Sequence, residues 1–142
     1  MKKSIAFLPK KNREDLKYLV ELILDKIPVC EMIILYGSYA RGTYVSYDER
    51  EEFGIPTSFK SDYDILVINS AWGYEKIENK LVSVRHIYDK RGDHRYRVPV
   101  QFIHDSIKKV NEDLKYSRYF YTELKRDGIM LYNSGNNKLA RR

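Results

Sequence analysis

The sequence predicts one globular domain in which helices and strands alternate, and three observations predict it. The chain has 142 residues, enough for one domain with a real core. Hydrophobic residues make up 43% and charged residues 32%, an ordinary balance for a soluble globular protein and a poor one for disorder. Finally, apolar residues switch repeatedly between helical spacing and short continuous runs.

The elements follow in order. Leu16, Leu19, Val20, Ile23, Leu24 and Ile27 recur at helical spacing, which predicts an amphipathic helix over 12–27. Pro28 stops it, because the residue before a proline avoids helical backbone angles. Met32 to Tyr36 is a short apolar run ended by Gly37 and reads as a strand. Ile65 to Ile68 is a second such run, apolar on both faces and therefore central in a sheet. Tyr74, Ile77, Leu81, Val84 and Tyr88 outline a second helix, and Arg91 to Arg97 a polar loop. Val98 to Ile103 reads as a third strand, and Ile107, Val110 and Leu114 mark a third helix. A fourth helix carries Tyr119, Phe120 and Leu124 and closes at Gly128, a C-terminal capping position. Ile129 to Tyr132 reads as an edge strand and Asn133 to Asn137 as a turn. There is no internal repeat and no low-complexity segment.

No apolar run is long enough to cross a bilayer, and Met1 to Pro9 lacks the long apolar stretch of a secretory signal. Cys30 is the only cysteine, so an internal disulfide and a cysteine-based zinc site are excluded; a reducing cytoplasm is the expected setting. The formal net charge of +6 favours anionic partners. The basic residues are nevertheless scattered among acidic ones. The denser groups, Lys10, Lys11 and Arg13, and Lys138, Arg141 and Arg142, read as solvated surface or tail. Nucleic acid and membrane are not expected as partners, and the thirteen tyrosines read as packing residues.

The chemically informative stretch runs from Ile33 to Ile68. Gly37-Ser38-Tyr39-Ala40-Arg41-Gly42 closes one apolar strand, and Ser61-Asp62-Tyr63-Asp64 opens the next. Glycine lets a backbone approach a phosphate closely. The Ser38 hydroxyl can bond a phosphate oxygen, a helix starting near it favours an anion, and Arg41 can pair with phosphate in a forked geometry. Asp62 and Asp64 are two apart on an expected strand, so their side chains share a face. Paired carboxylates repel unless a cation lies between them, and Mg²⁺, which takes oxygen ligands and keeps room for water and phosphate, suits the position. Alone, a Gly-Ser turn is usually only a turn, and an Asp-x-Asp a solvated strand end. The conjunction is specific because it sets both at one edge of the sheet.

These residues resemble the signature of the DNA polymerase β-like nucleotidyltransferase superfamily, especially its minimal nucleotidyltransferase (MNT) branch. There, a strand ending in Gly-Ser-x-Ala-Arg-Gly is followed by Ser-Asp-x-Asp and an apolar strand; Gly37, Ser38, Ala40, Arg41, Gly42, Ser61, Asp62 and Asp64 match. The resemblance implies an α+β fold, a two-layer sandwich with a mixed sheet like the palm of polymerase β. It implies that Gly37, Ser38 and Arg41 bind a nucleoside triphosphate, ATP being the expected one, and that Asp62 and Asp64 are catalytic and hold Mg²⁺. It also implies transfer of a nucleoside monophosphate, AMP, to an acceptor hydroxyl, with a HEPN-domain protein or fused HEPN domain, as in toxin–antitoxin systems, as the partner. Residues 1–135 would form this domain, and residues 136–142 a basic tail or the start of a linker. A homo-oligomer is left open.

The chain departs from the pattern twice. The spacer from Tyr39 to Ser61 is long; its acids Asp48, Glu49, Glu51 and Glu52 read as a solvated loop face, and the loop as a candidate lid. Active relatives carry a third carboxylate on a later strand, where this chain aligns Gln101. An amide is a poorer Mg²⁺ ligand and cannot act as a general base. A nucleotide-binding, antitoxin-like partner without turnover is therefore the alternative. Asp105, the nearest acid downstream, is expected past the strand end. His104 falls near the expected cleft, while Cys30 reads as a small buried hydrophobe and Trp72 as packing at a helix start.

Overall fold

The computed structural model describes residues 1–44, 61–92, 97–115 and 119–140. The 45–60 stretch, with Asp48, Glu49, Glu51, Glu52 and the candidate lid, lies outside the described residues, as do residues 93–96 of the polar loop. Helix α1 spans Lys10–Lys26 and begins two residues earlier than the apolar spacing suggests. Pro9, extended at ψ 155°, serves as its N-cap, and its carbonyl accepts from Arg13 N at 3.1 Å. The helix stops at Ile27, before Pro28. Its face of Leu16, Leu19 and Ile23, with Ile27 beyond it, is fully buried, each side chain contributing roughly 1.5–3 kcal/mol.

Strand β1 is Cys30–Tyr36, followed by the single-turn helix α2, Gly37–Arg41. Strand β2 is Tyr63–Asn69, helix α3 Tyr74–Asp89 and strand β3 Val100–Ser106. Helices α4, Ile107–Lys115, and α5, Tyr119–Asp127, lead to strand β4, Ile129–Asn133. The sheet order is β3-β2-β1-β4, so the two apolar runs are central and β4 lies at an edge, as the sequence predicts. β1 runs antiparallel to β2 and β4, and β2 parallel to β3. The parallel pair requires a crossover, which α3 supplies.

The fold is α+β with a mixed sheet. The main core joins α1 and α3 to the face carrying Ile33, Leu35, Tyr63, Ile65 and Val67. On the opposite face, α4 and α5 close a smaller core of Met32, Ile34, Leu66, Ile68, Val110, Leu114 and Leu124. The two expected layers are thus joined by a partial third. It arises because β1 and β2 are apolar on both faces, and both faces need cover. Leu139 and Ala140 pack against this smaller core, and the Asn111 side chain holds their backbone, donating to Lys138 O at 3.0 Å and accepting from Ala140 N at 2.7 Å.

β3 starts later and runs further than its composition suggests. Pro99 has no N–H for the ladder; its carbonyl instead accepts from Tyr63 N at 2.8 Å, while Val98 O accepts from the Tyr88 hydroxyl at 2.6 Å. At its other end β3 continues to Ser106, because β2 offers partners as far as Asn69. Asp105, expected past the strand end, is therefore inside it.

Gly128 joins α5 to β4 at a point with no room for a side chain. A Cβ there would overlap the Leu124 carbonyl and come within 3.0 Å of Ile34 Cγ2. Gly128→Ala is expected to destabilise the protein by about 1–3 kcal/mol, the usual range for overpacking. Urea unfolding should show a lower midpoint with an unchanged slope; an unaltered midpoint would mean that α5 shifts freely.

Candidate functional site

The site is set by strand register. Tyr36 of β1 pairs with Asp64 of β2, and Asp64 pairs with Gln101 of β3. Tyr36, Asp64 and Gln101 therefore form one row across three strands, on the face that α4 and α5 cover further along. The next row, Ile34, Leu66 and Ile103, is already apolar. The polar row is the rim where helical cover runs out, and Gln101 is exposed there.

Gly37 follows Tyr36 with φ +75°, a left-handed angle that favours glycine. A Cβ on Gly37 would overlap Asp64 Oδ2 and stand 3.1 Å from its Cγ. The turn backbone and the carboxylate thus touch directly. α2 then makes one turn and closes at Gly42, φ +78°, whose N–H bonds Ser38 O; Thr43 N bonds the same carbonyl at 2.9 Å. Tyr39 and Ala40 point into the main core. Tyr39 stacks on Tyr44 at 4.3 Å and packs against Tyr63 at 4.7 Å between ring centroids. With these two side chains turned inward, Ser38 is left partly exposed and Arg41 exposed.

Burial raises the Asp64 carboxyl above its ordinary range, the negative charge of Asp62 raises it further, and Arg41 opposes both. Asp62 lies one residue before β2, yet its carboxylate is close enough to repel that of Asp64. Burial and the Asp64 charge also push the Tyr36 phenol up to about 12. Tyr36 packs edge-on to Phe120, with centroids 5.4 Å apart. Beside them a cleft of about 50 Å³ is lined by Gly37, Arg41, Glu123 and Asp127.

The start of β2 is tied to α1 from the other face. The Tyr63 hydroxyl donates to Asp15 Oδ2 at 2.8 Å and accepts from Asn12 Nδ2 at 2.7 Å. Tyr63 lies between Asp62 and Asp64, so this buried link fixes the strand that carries both. Sequence reading missed Asn12, Asp15 and Tyr36 as supports of the site. A separation of 48 residues or more between Tyr63 and its partners leaves no local pattern to find.

Other candidates fall away from the row. His104 pairs with Val67, placing it on the main-core face, where its Nε2 is 2.6 Å from Glu78 Oε2 and its ring packs on Tyr74. Asp105 pairs with Ile68, four residues along from Asp64, and accepts from the Tyr121 hydroxyl at 3.0 Å. Cys30 is buried, with its thiol pushed up to about 12 mainly by burial. Among the described residues no three His, Cys, Asp or Glu side chains are grouped to hold a metal. The site offers two carboxylates and an amide.

No family model matches the chain, and no curated protein matches it. Solved structures do. One is a toxin–antitoxin with AMP-PNP, at 17% identity over 84% of this chain and 74% of that one, TM-score 0.49. Another is a mutant of the toxin–antitoxin MntA-HpeT, at 15% identity over 84% and 74%, TM-score 0.48. A third, from Sulfolobus solfataricus, is provisionally assigned as a nucleotidyltransferase; it shares 21% identity over 92% and 94%, TM-score 0.42.

The burial of the Asp64 carboxyl and, after it, the repulsion from Asp62 have a stability consequence. A carboxyl raised above its unfolded value contributes most below the unfolded pKa, and that contribution is lost as pH rises through the folded one. Without divalent cations, Asp64→Asn is therefore expected to raise the melting temperature at neutral pH, and the gain should disappear in acid. Thermal melts in EDTA across pH test this; a variant less stable than the parent at neutral pH contradicts it.

Proposed function

We propose that the chain is a nucleotidyltransferase of the minimal type, which moves a nucleoside monophosphate, AMP, from a Mg²⁺–triphosphate to an acceptor hydroxyl on a protein partner. The observation that carries this reading is the contact of Gly37 with Asp64, with Asp62 and Arg41 close enough to act on the same carboxylate. It brings a side-chain-free backbone turn, two repelling anions and an exposed guanidinium to one sheet edge. A phosphate chain along the turn would meet the Ser38 hydroxyl and Arg41.

Asp62 and Asp64 fit one Mg²⁺, since two carboxylates leave coordination positions for water and phosphate. The ion would supply charge neutralisation and in-line orientation at the phosphate. The residues themselves bind and orient: Arg41 offsets phosphate charge, and the Asn12–Tyr63–Asp15 link keeps the carboxylates in place. In the reaction a bond forms between the acceptor oxygen and the α-phosphorus, the acceptor hydroxyl gives up its proton to water, the α–β bridging bond breaks, and pyrophosphate leaves.

A second reading has its own observation. Gln101 pairs directly with Asp64, where the family resemblance calls for a third carboxylate. A neutral amide there favours a nucleotide-binding, antitoxin-like partner of a HEPN domain with little or no turnover. In either case residues 1–135 would be the nucleotide domain, with 136–142 a basic tail or the start of a linker. A cytoplasmic setting suits both a triphosphate substrate and a lone thiol.

Calorimetry with ATP should show binding that requires Mg²⁺, and the pair Asp62→Asn, Asp64→Asn should abolish that requirement without unfolding the chain. Equal affinity with and without Mg²⁺ in the parent protein removes the metal assignment. Incubation with a cognate HEPN protein, Mg²⁺ and ATP should add one AMP to that partner by intact-mass spectrometry, and Asp64→Asn should prevent it. A partner that binds tightly but is never modified under any nucleotide establishes the second reading.

Gln101 gives a separate expectation. If the amide limits transfer, Gln101→Glu should raise the rate about tenfold or more, because it restores an anionic oxygen beside Asp64. Single-turnover transfer of labelled nucleotide measures it. A rate equal to or below the parent's means that the amide is not the limiting feature.

A further inference from the structure

α2 has a weakness that its sequence does not mend. One turn of helix is too short to be stable alone, and α2 has no side-chain cap at its N-terminus. At its other end Gly42 and Thr43 both bond the Ser38 carbonyl, which leaves the Ala40 carbonyl to find a partner elsewhere. That partner is Lys2, whose ammonium donates to Ala40 O at 3.0 Å across 38 residues of sequence.

Lys2 is itself fixed by backbone. Its N–H donates to Gly128 O at 3.2 Å, and its carbonyl accepts from Met130 N at 2.9 Å, forming a bridge beside Ile129. Ile129 pairs in turn with Leu35 of β1, directly upstream of the Tyr36–Gly37 turn. The chain start, β4, the end of β1 and α2 thus form a closed circuit, with the Lys2 side chain as its last link. A cation near the final carbonyls of a helix is also electrostatically favourable.

We propose that Lys2 is a positioning residue for the nucleotide site: it holds α2 so that Ser38 and Arg41 stay in register with Asp62 and Asp64. The proposal rests on the reading of this site as a nucleotide site. Lys2 touches neither carboxylate and acts through α2. Its carbonyl and N–H links to β4 do not depend on the side chain, so Lys2→Met cuts the clamp and leaves the bridge.

The test has two arms. In the nucleotide-free protein, hydrogen exchange at the Gly42 and Thr43 amides should quicken about tenfold or more in Lys2→Met, while amides of β1 and β2 stay unchanged. Lys2→Arg, which keeps a long cationic donor, should restore most of the protection. The increase should persist in about 1 M salt, where the screening length is ~3 Å, because a direct hydrogen bond and not a distant field is lost. In the second arm, calorimetry with MgATP should show Lys2→Met binding about tenfold more weakly, a change of about 1.4 kcal/mol, with the melting temperature within a few degrees of the parent. Unchanged exchange at Gly42 and Thr43 overturns the proposal, as does a general loss of protection throughout the sheet. If exchange responds as expected but the parent protein binds no nucleotide, the functional reading of the site fails and the clamp on α2 stands.

Discussion

The carboxylate of Asp64 occupies the space that a side chain on residue 37 would need. Much of the site follows from that contact. It requires glycine at position 37, and glycine makes the left-handed angle of φ +75° inexpensive. The angle turns the chain from β1 into α2, which sends Tyr39 and Ala40 into the core and leaves Ser38 and Arg41 outside. The contact also depends on antiparallel pairing that sets Tyr36 opposite Asp64. A slip of one residue would turn the aspartate onto the other face.

The sheet imposes a second constraint. Its two central strands are apolar on both sides, so helices pack on both, but α4 and α5 cover only part of their face. The row of Tyr36, Asp64 and Gln101 lies where that cover ends. Tyr36 marks the transition, since its ring packs on Phe120 while its neighbour in the row carries charge. Half-burial at such a rim explains why Asp64 is raised and responds to both Asp62 and Arg41. The repulsion of two carboxylates costs stability in the free protein, and a bound cation would relieve it.

Distant segments hold this arrangement in place. α1 reaches the start of β2 through Asn12 and Asp15, both bonded to the Tyr63 hydroxyl. Glu31, buried at the start of β1, accepts from the hydroxyls of Ser134 and Ser70 at 2.6 and 2.8 Å; these bonds, with one from Asn137, hold its carboxyl below the usual range. The same glutamate thus ties the stretch after β4 to the far end of the sheet from the site. That stretch read as a turn and tail in the sequence, yet as far as Ala140 it is bonded to α4.

Much of the fold was legible because it depends on local patterns. Leu16, Leu19 and Ile23 at helical spacing, the continuous run from Met32 to Leu35, and Gly128 after the last helix each name their element without long-range information. The order of elements and the central place of β1 and β2 were readable in this way, as was the placing of the Gly37 turn and the Asp62–Asp64 pair at one edge of the sheet. The α+β class followed from the resemblance those motifs carry, and the direct contact of Gly37 with Asp64 appears only in the structure. Tertiary structure decided what depends on partners far along the chain. Strand β3 runs to Ser106 because β2 supplies partners, and Asp105 is consequently a strand residue bonded to Tyr121. His104 and Gln101 are three residues apart on β3, so alternation alone puts them on opposite faces, but tertiary structure decides that one meets Glu78 and the other lies beside Asp64. Periodicity along a chain determines which side chains share a face, but only pairing between strands determines which of them meet.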